Sequence, residues 1–154
     1  MTLRKKILLI LLIAVSVIQF IQPSRNKSSK LEATDLTKVF SVSQDVQMIL
    51  KKSCYDCHSN NTNYPWYSRV QPFGWMLAKH IRNGKTELNF SELGSLSDRR
   101  QVTKLKGIAN SIKDETMPLR SYTFLHRDAK LSIQEKLIII DWANRKRDSL
   151  SASH

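Results

Sequence analysis

Cysteine, glycine, proline and acidic residues are all scarce in this chain. Of 154 residues, 2 are cysteine, 4 glycine and 4 proline, and 13 acids stand against 25 lysines and arginines. With only Cys54 and Cys57, a structural zinc site needs two or more histidines in support. His58, His80, His126 and His154 do not follow the usual Cys-pair, His-pair spacing. A thioredoxin-type thiol pair follows a strand in a βαβ pattern, and no such alternation is present. Few glycines and prolines, with little period-two patterning, favour helices joined by loops. The chain also lacks an apolar run long enough to span a bilayer comfortably. Its longest, 7–21, is interrupted by Ser16 and Gln19.

What is present is concentrated in five residues, Cys54-Tyr55-Asp56-Cys57-His58. A Cys-x-x-Cys-His run is the attachment signature of c-type haem. On a helical turn, cysteines three apart present both sulfurs along one edge, where each can form a thioether with a porphyrin vinyl group. The following His58 is then carried beneath the ring as proximal iron ligand. Tyr55 and Asp56 are expected to face outward. A disulfide between the two cysteines leaves His58 unexplained. Thiol redox chemistry and metal binding are the other readings.

Arg4, Lys5 and Lys6 precede the apolar run, the layout of an export signal. Fifteen helical residues span roughly 22 Å, short of the ~30 Å hydrocarbon slab. No small-residue cleavage triplet follows Ile21, so 1–21 reads as an uncleaved anchor rather than a removed signal peptide. No cysteine lies near it, which excludes lipoprotein processing. Arg25, Lys27 and Lys30 lie on its other flank, so charge alone does not orient it. Haem chemistry does: c-type haem is attached outside the bacterial cytoplasmic membrane. The expected location is the cell envelope, on the periplasmic side.

Residues 22–41, rich in Ser, Lys and Thr, read as a polar tether. Residues 42–148 form one all-α domain and 149–154 a polar tail. Helices are expected over 43–53, running directly into the Cys-x-x-Cys-His turn, over 73–82 with Asn83-Gly84 as stop signal, and over 97–113. A last helix opens at Ser132, where Ser132-Ile133-Gln134-Glu135 matches a capping box. Residues 60–72 read as an aromatic loop.

This order of helix, haem motif, loop, helices, Met-Pro loop and final helix resembles the small class I cytochrome c fold. A closer resemblance is to the haem-binding domain family of exported bacterial proteins. It is carried by Cys54 to Ser59, Tyr64-Pro65-Trp66-Tyr67 through Trp75, His80 and Gly84, Leu88-Asn89-Phe90-Ser91, Met117-Pro118, Tyr122, His126, Leu131-Ser132 and Trp142. The resemblance implies one haem c, attached through Cys54 and Cys57 with His58 on the iron.

The sixth iron ligand decides what such a haem does. Met117, before a proline and between two predicted helices, resembles the distal ligand of class I cytochromes c; a His/Met pair raises the reduction potential. His80 is the rival, giving a bis-histidine centre. His126 and His154 are the remaining imidazoles. The second ring nitrogen of His58 needs an acceptor, and the carbonyl of Pro65 or Pro72 is a candidate by analogy with other small cytochromes c. Trp66, Tyr67, Arg69, Trp75 and Arg82 are candidate propionate donors.

The net charge of +12 suits acidic redox partner proteins as well as an anionic membrane surface. Nucleic acid is not an expected partner of an exported haem protein. The leading reading is therefore a single-haem electron carrier without a small-molecule substrate, not an enzyme. A haem-based gas or peroxide sensor, or a peroxidase-like enzyme with an open or bis-histidine iron, is the alternative.

Overall fold

The computed structural model describes residues 1–28 and 32–152; Lys30 and His154 lie outside the described residues. Eight helices follow one another among them: α1 Leu3–Ile18, α2 Leu36–Val39, α3 Gln44–Ser53, α4 Tyr55–His58, α5 Phe73–Glu87, α6 Asp98–Lys113, α7 Arg120–Leu125 and α8 Ile133–Ala152. Short stretches of 3-10 helix form at Trp66–Arg69, Phe90–Ser95 and Arg127–Ala129. The described residues contain no strand, only an isolated antiparallel bridge between Lys27 and Asn61. The fold is all-helical, as the scarcity of alternation predicts.

Apolar residues at helical spacing put α3, α6 and α8 into one core. Val46, Ile49 and Leu50 of α3 meet Leu105, Ile108 and Ile112 of α6 and Ile139, Trp142 and Ala143 of α8. Each fully buried Leu or Ile contributes about 1.5–3 kcal/mol of transfer free energy. A second, smaller cluster gathers Tyr67, Leu77 and Ile81 from the 3-10 turn and α5. The Cys-x-x-Cys-His turn straddles the two: Cys54 packs on the first and Cys57 on the second.

The capping box is in place. Ser132 N–H donates to Glu135 Oε2 at 2.9 Å, and Glu135 N–H to Ser132 Oγ at 3.2 Å. Other boundaries differ from expectation. Helix α3 does not run smoothly into the motif, because Cys54 has φ −129° and starts α4 afresh. Helix α5 continues through Asn83-Gly84 to Glu87. Gly84 is no stop signal there; it lies buried against Cys57. Helix α8 runs on to Ala152, past Asp148, and Ser151 Oγ donates to the Arg147 carbonyl at 3.0 Å in its last turn.

The described parts of the polar stretch 22–41, residues 22–28 and 32–41, lie along the domain. Asn26 Nδ2 donates to the Ser59 carbonyl at 2.7 Å and to Thr62 Oγ1 at 2.9 Å, while Lys85 Nζ donates to Asn26 Oδ1 at 2.8 Å. Leu36 is buried in the main core. Just upstream, Gln71 N–H donates to Gln19 Oε1 at 2.8 Å and Trp75 Nε1–H to the Ile21 carbonyl at 2.7 Å. No residue of α1 itself is buried, and its 16 residues reach only about 24 Å. Among the described residues no helix is long and apolar enough to cross a membrane.

Candidate cofactor-binding site

The motif turn opens onto a cavity of about 370 Å³. Cys54, His58, Leu88 and Phe90 line it, together with Gly107, Ile108, Ser111 and Ile112 of α6, and Met117 lines it too, whereas Cys57 does not. Motif cysteine, motif histidine and the Met-Pro methionine, distant in sequence, thus face one space.

His58 is held by its Nδ1, 2.9 Å from the Leu88 carbonyl. With Nδ1–H donating there, the neutral ring keeps its lone pair on Nε2, the form a metal requires. Burial pushes its pKa below the usual imidazole range, partly offset by the carbonyls of Leu88 and Gly84. The acceptor is a backbone carbonyl, as the second-shell argument asks. It comes from the segment after α5 and not from Pro65 or Pro72, because α5 crosses the motif and delivers Leu88 beneath the ring.

Burial, and next the charge of Cys57, push the Cys54 thiol up to about 12; burial, with Asp56 adding, pushes Cys57 up to about 11. Thiol-redox catalysis needs a thiolate near neutral pH, and this setting withholds one. Both cysteines are free of any disulfide. Among the described residues no group of three His, Cys, Asp or Glu side chains could hold a metal ion.

Tyr55 and Asp56, expected to face outward, brace the turn. The Tyr55 ring stacks on Phe90 with centroids 5.1 Å apart, and its hydroxyl donates to buried Asp35 Oδ1 at 3.2 Å. Asp56 Oδ2 accepts from Tyr122 at 2.7 Å, and Oδ1 from the Asn63 N–H at 3.0 Å. Tyr122 in turn stacks on His126 at 4.0 Å. Reasoning from the motif alone misses these partners, since Asp35, Phe90 and Tyr122 carry no local signal linking them to it.

Met117 is positioned by the end of α6. Thr116 N–H donates to the Ser111 carbonyl at 3.0 Å and Glu115 N–H to that of Ile112 at 3.2 Å, a Schellman pair with Glu115 at φ 56°. Met117 N–H also donates to the Ser111 carbonyl, at 3.2 Å. His80 is half-buried on α5 and does not line the cavity. His126 Nε2 lies 3.4 Å from the Tyr67 hydroxyl, also away from it. Trp66, Tyr67, Arg69, Trp75 and Arg82 do not line the cavity either; its polar rim is Glu87, Thr103, Lys104 and Ser111. Tyr67 packs beside Cys57 yet lies outside the cavity, which α6 helps to line.

One glycine tests what this space can hold. A Cβ built on Gly107 meets nothing within 4 Å, although the residue sits inside α6 and lines the cavity. Glycine within a helix costs roughly 1 kcal/mol against alanine. An open, largely apolar slot beside bare backbone, lined by His58, fits a flat macrocycle carrying iron.

A small helical domain built around such a cavity belongs to the haem-binding class of proteins. The family model described as the haem-binding domain matches residues 13–145, and the chain belongs to that family. It is also 26% identical over 132 residues to a protein named cytochrome c peroxidase Ccp from Escherichia coli (strain K12). That match takes in 84% of this chain but only 28% of the relative's length. No solved structure matches the chain.

Proposed function

We propose that the protein carries one haem c, joined by thioethers to Cys54 and Cys57, and passes single electrons in the bacterial cell envelope. The observation that carries this reading is the shared cavity of Cys54, His58 and Met117. His58 would hold the iron through Nε2 while the Leu88 carbonyl fixes its ring. Met117 would supply a second iron ligand, a soft sulfur that favours ferrous iron. The bound haem would provide the reversible one-electron couple. The chain's own work is to orient that group and exclude water: Ile108, Ile112 and Phe90 wall the cavity with apolar surface. In this reading the helical domain is of the class I cytochrome c type, with partners that are redox proteins.

Helix α1 serves here as an export and anchoring segment. Its apolar side chains stand exposed, with Arg4, Lys5 and Lys6 at its start. At this length it holds the membrane only with its polar flanks snorkelling.

Visible spectroscopy and intact mass on protein matured in a bacterial envelope test the reading. The expected result is a haem that denaturant does not release, a far-red ferric band of Met–iron ligation, and no response to CO. Met117→Ala removes that band and admits CO, whereas His80→Ala changes neither. An unmodified polypeptide mass would end the proposal. The second reading is a peroxidase-like or sensing haem, favoured by the name of the Escherichia coli relative. Its signature is ready CO binding and peroxide turnover in the unaltered protein.

A further inference from the structure

Beyond Met117 lies a second, larger basin of about 740 Å³. Met117 is the one residue lining both this basin and the motif cavity, so the two spaces meet at it. Around the basin stand Arg120, Arg127, Lys130 and Lys136. The acid on this rim, Glu115, is engaged with Lys136 Nζ at 2.5 Å. Among the described residues Arg120, Arg127 and Lys130 form no salt bridge. Phe124 rises among them with 80% of its surface exposed.

We propose that this basin is the docking face for the acidic surface of a redox partner protein, and that Met117 is where charge crosses to the cofactor. The proposal rests on the electron-transfer reading above and adds to it a place and a chemistry. Unpaired cations around an exposed aromatic are the anatomy of a steered interface: the charges raise the encounter rate and the ring supplies a desolvated anchor. A small hydrophilic anion would satisfy the cations but gain nothing from Phe124. The face is also tied to the motif. Helix α7 shows Phe124 outward while Tyr122, on its inner side, donates to Asp56 within the Cys-x-x-Cys-His turn.

Two double charge reversals separate a local docking face from mere net charge. Arg127→Glu/Lys130→Glu alters the basin; Arg99→Glu/Arg100→Glu alters the opposite end of α6, roughly 20 Å away along the helix axis. Both change the net charge equally. Full-length haem-loaded protein is titrated with poly-L-glutamate at low salt, and its ferrous form is mixed with ferricyanide and with a cationic tris-phenanthroline cobalt(III) complex. The basin pair should weaken poly-L-glutamate binding about tenfold and slow ferricyanide oxidation several-fold while speeding that by the cobalt complex; the control pair should change each by less than about twofold. Equal losses in both variants, or unaltered rates in the basin variant, overturn the docking face. Displacement of poly-L-glutamate by stoichiometric pyrophosphate marks a small-anion site and overturns it too. If the reversed basin pair does not fold, Arg127→Gln/Lys130→Gln gives the same comparison at half the charge change, against Arg99→Gln/Arg100→Gln. A ferrous haem that neither complex oxidises overturns instead the electron-transfer reading.

Discussion

Gly84 and Cys57 touch backbone to backbone: a Cβ on Gly84 would stand 2.7 Å from the Cys57 carbonyl oxygen and 3.3 Å from its Cβ. Helix α5 crosses the motif turn at this point, and only a residue without a side chain permits the approach. Gly84→Ala must push α5 or the turn aside, at a cost of about 1–3 kcal/mol. The expected outcome is a lower thermal midpoint and a reduced fraction of protein carrying haem. Normal haem content and an unchanged midpoint would show that the contact yields freely.

Gly107 poses the opposite case, since nothing stands near its missing side chain. In haem-free protein, Gly107→Ala should stabilise α6 by up to about 1 kcal/mol through helix propensity alone. Gly107→Phe fills the cavity instead and should abolish haem loading while leaving the helical content intact. Circular dichroism and haem absorbance of the two variants check this. Full loading of the phenylalanine variant would place the cofactor elsewhere.

The hydrogen bond from Tyr122 to Asp56 predicts both a mutational and an alkaline effect. Tyr122→Phe removes a part-buried donor to the carboxylate and should cost about 1–2 kcal/mol in denaturant unfolding. Burial first, and the Asp56 bond next, hold the Tyr122 pKa above its ordinary 10.0; burial and the Cys57 charge do the same for Tyr67. Unfolded tyrosines therefore lose protons before folded ones do. The stability they contribute is complete below about pH 10 and falls as pH rises beyond it. Tyr122→Phe should flatten that alkaline limb. An equally steep limb in the variant would assign the effect to other groups.

Glu115 holds a left-handed backbone, φ 56°, at the end of α6. Glu115→Ala loses the exposed pair with Lys136 and keeps the strained conformation, whereas Glu115→Gly loses the pair and removes the strain. Because both variants lose the pair and only alanine keeps the left-handed strain, which costs about 1–2 kcal/mol, the glycine variant should be the more stable of the two by about 1 kcal/mol. Paired unfolding curves decide it; equal midpoints would mean the turn relaxes without the glycine.

Features set by neighbours in the chain were legible before the fold was known. Ser132 and Glu135 announce the start of α8 because both partners of the box lie within one turn. The Cys-x-x-Cys-His pentapeptide is legible for the same reason. Gly84 misleads, since a glycine near a helix end looks alike whether it stops the helix or admits a crossing chain. The carbonyl holding His58 lies 30 residues away, at Leu88, and any backbone carbonyl is chemically eligible. Residues 22–41 look like a linker by composition, yet Asn26 and Leu36 are anchored by groups far along the sequence. Membership in the haem-binding family is fixed by the match over 13–145, whereas the division of labour within the site rests on geometry.

Gln19, Gln22 and the Ile21 carbonyl bond to residues 69–75 at the very point where α1 ends. A loose leash would let the globular part swivel; these bonds make a bracket. On the anchoring reading proposed above, the direction in which the Met117 basin faces is set by the seat of α1. Approach of a second molecule thus becomes a matter of mounting angle as well as of charge.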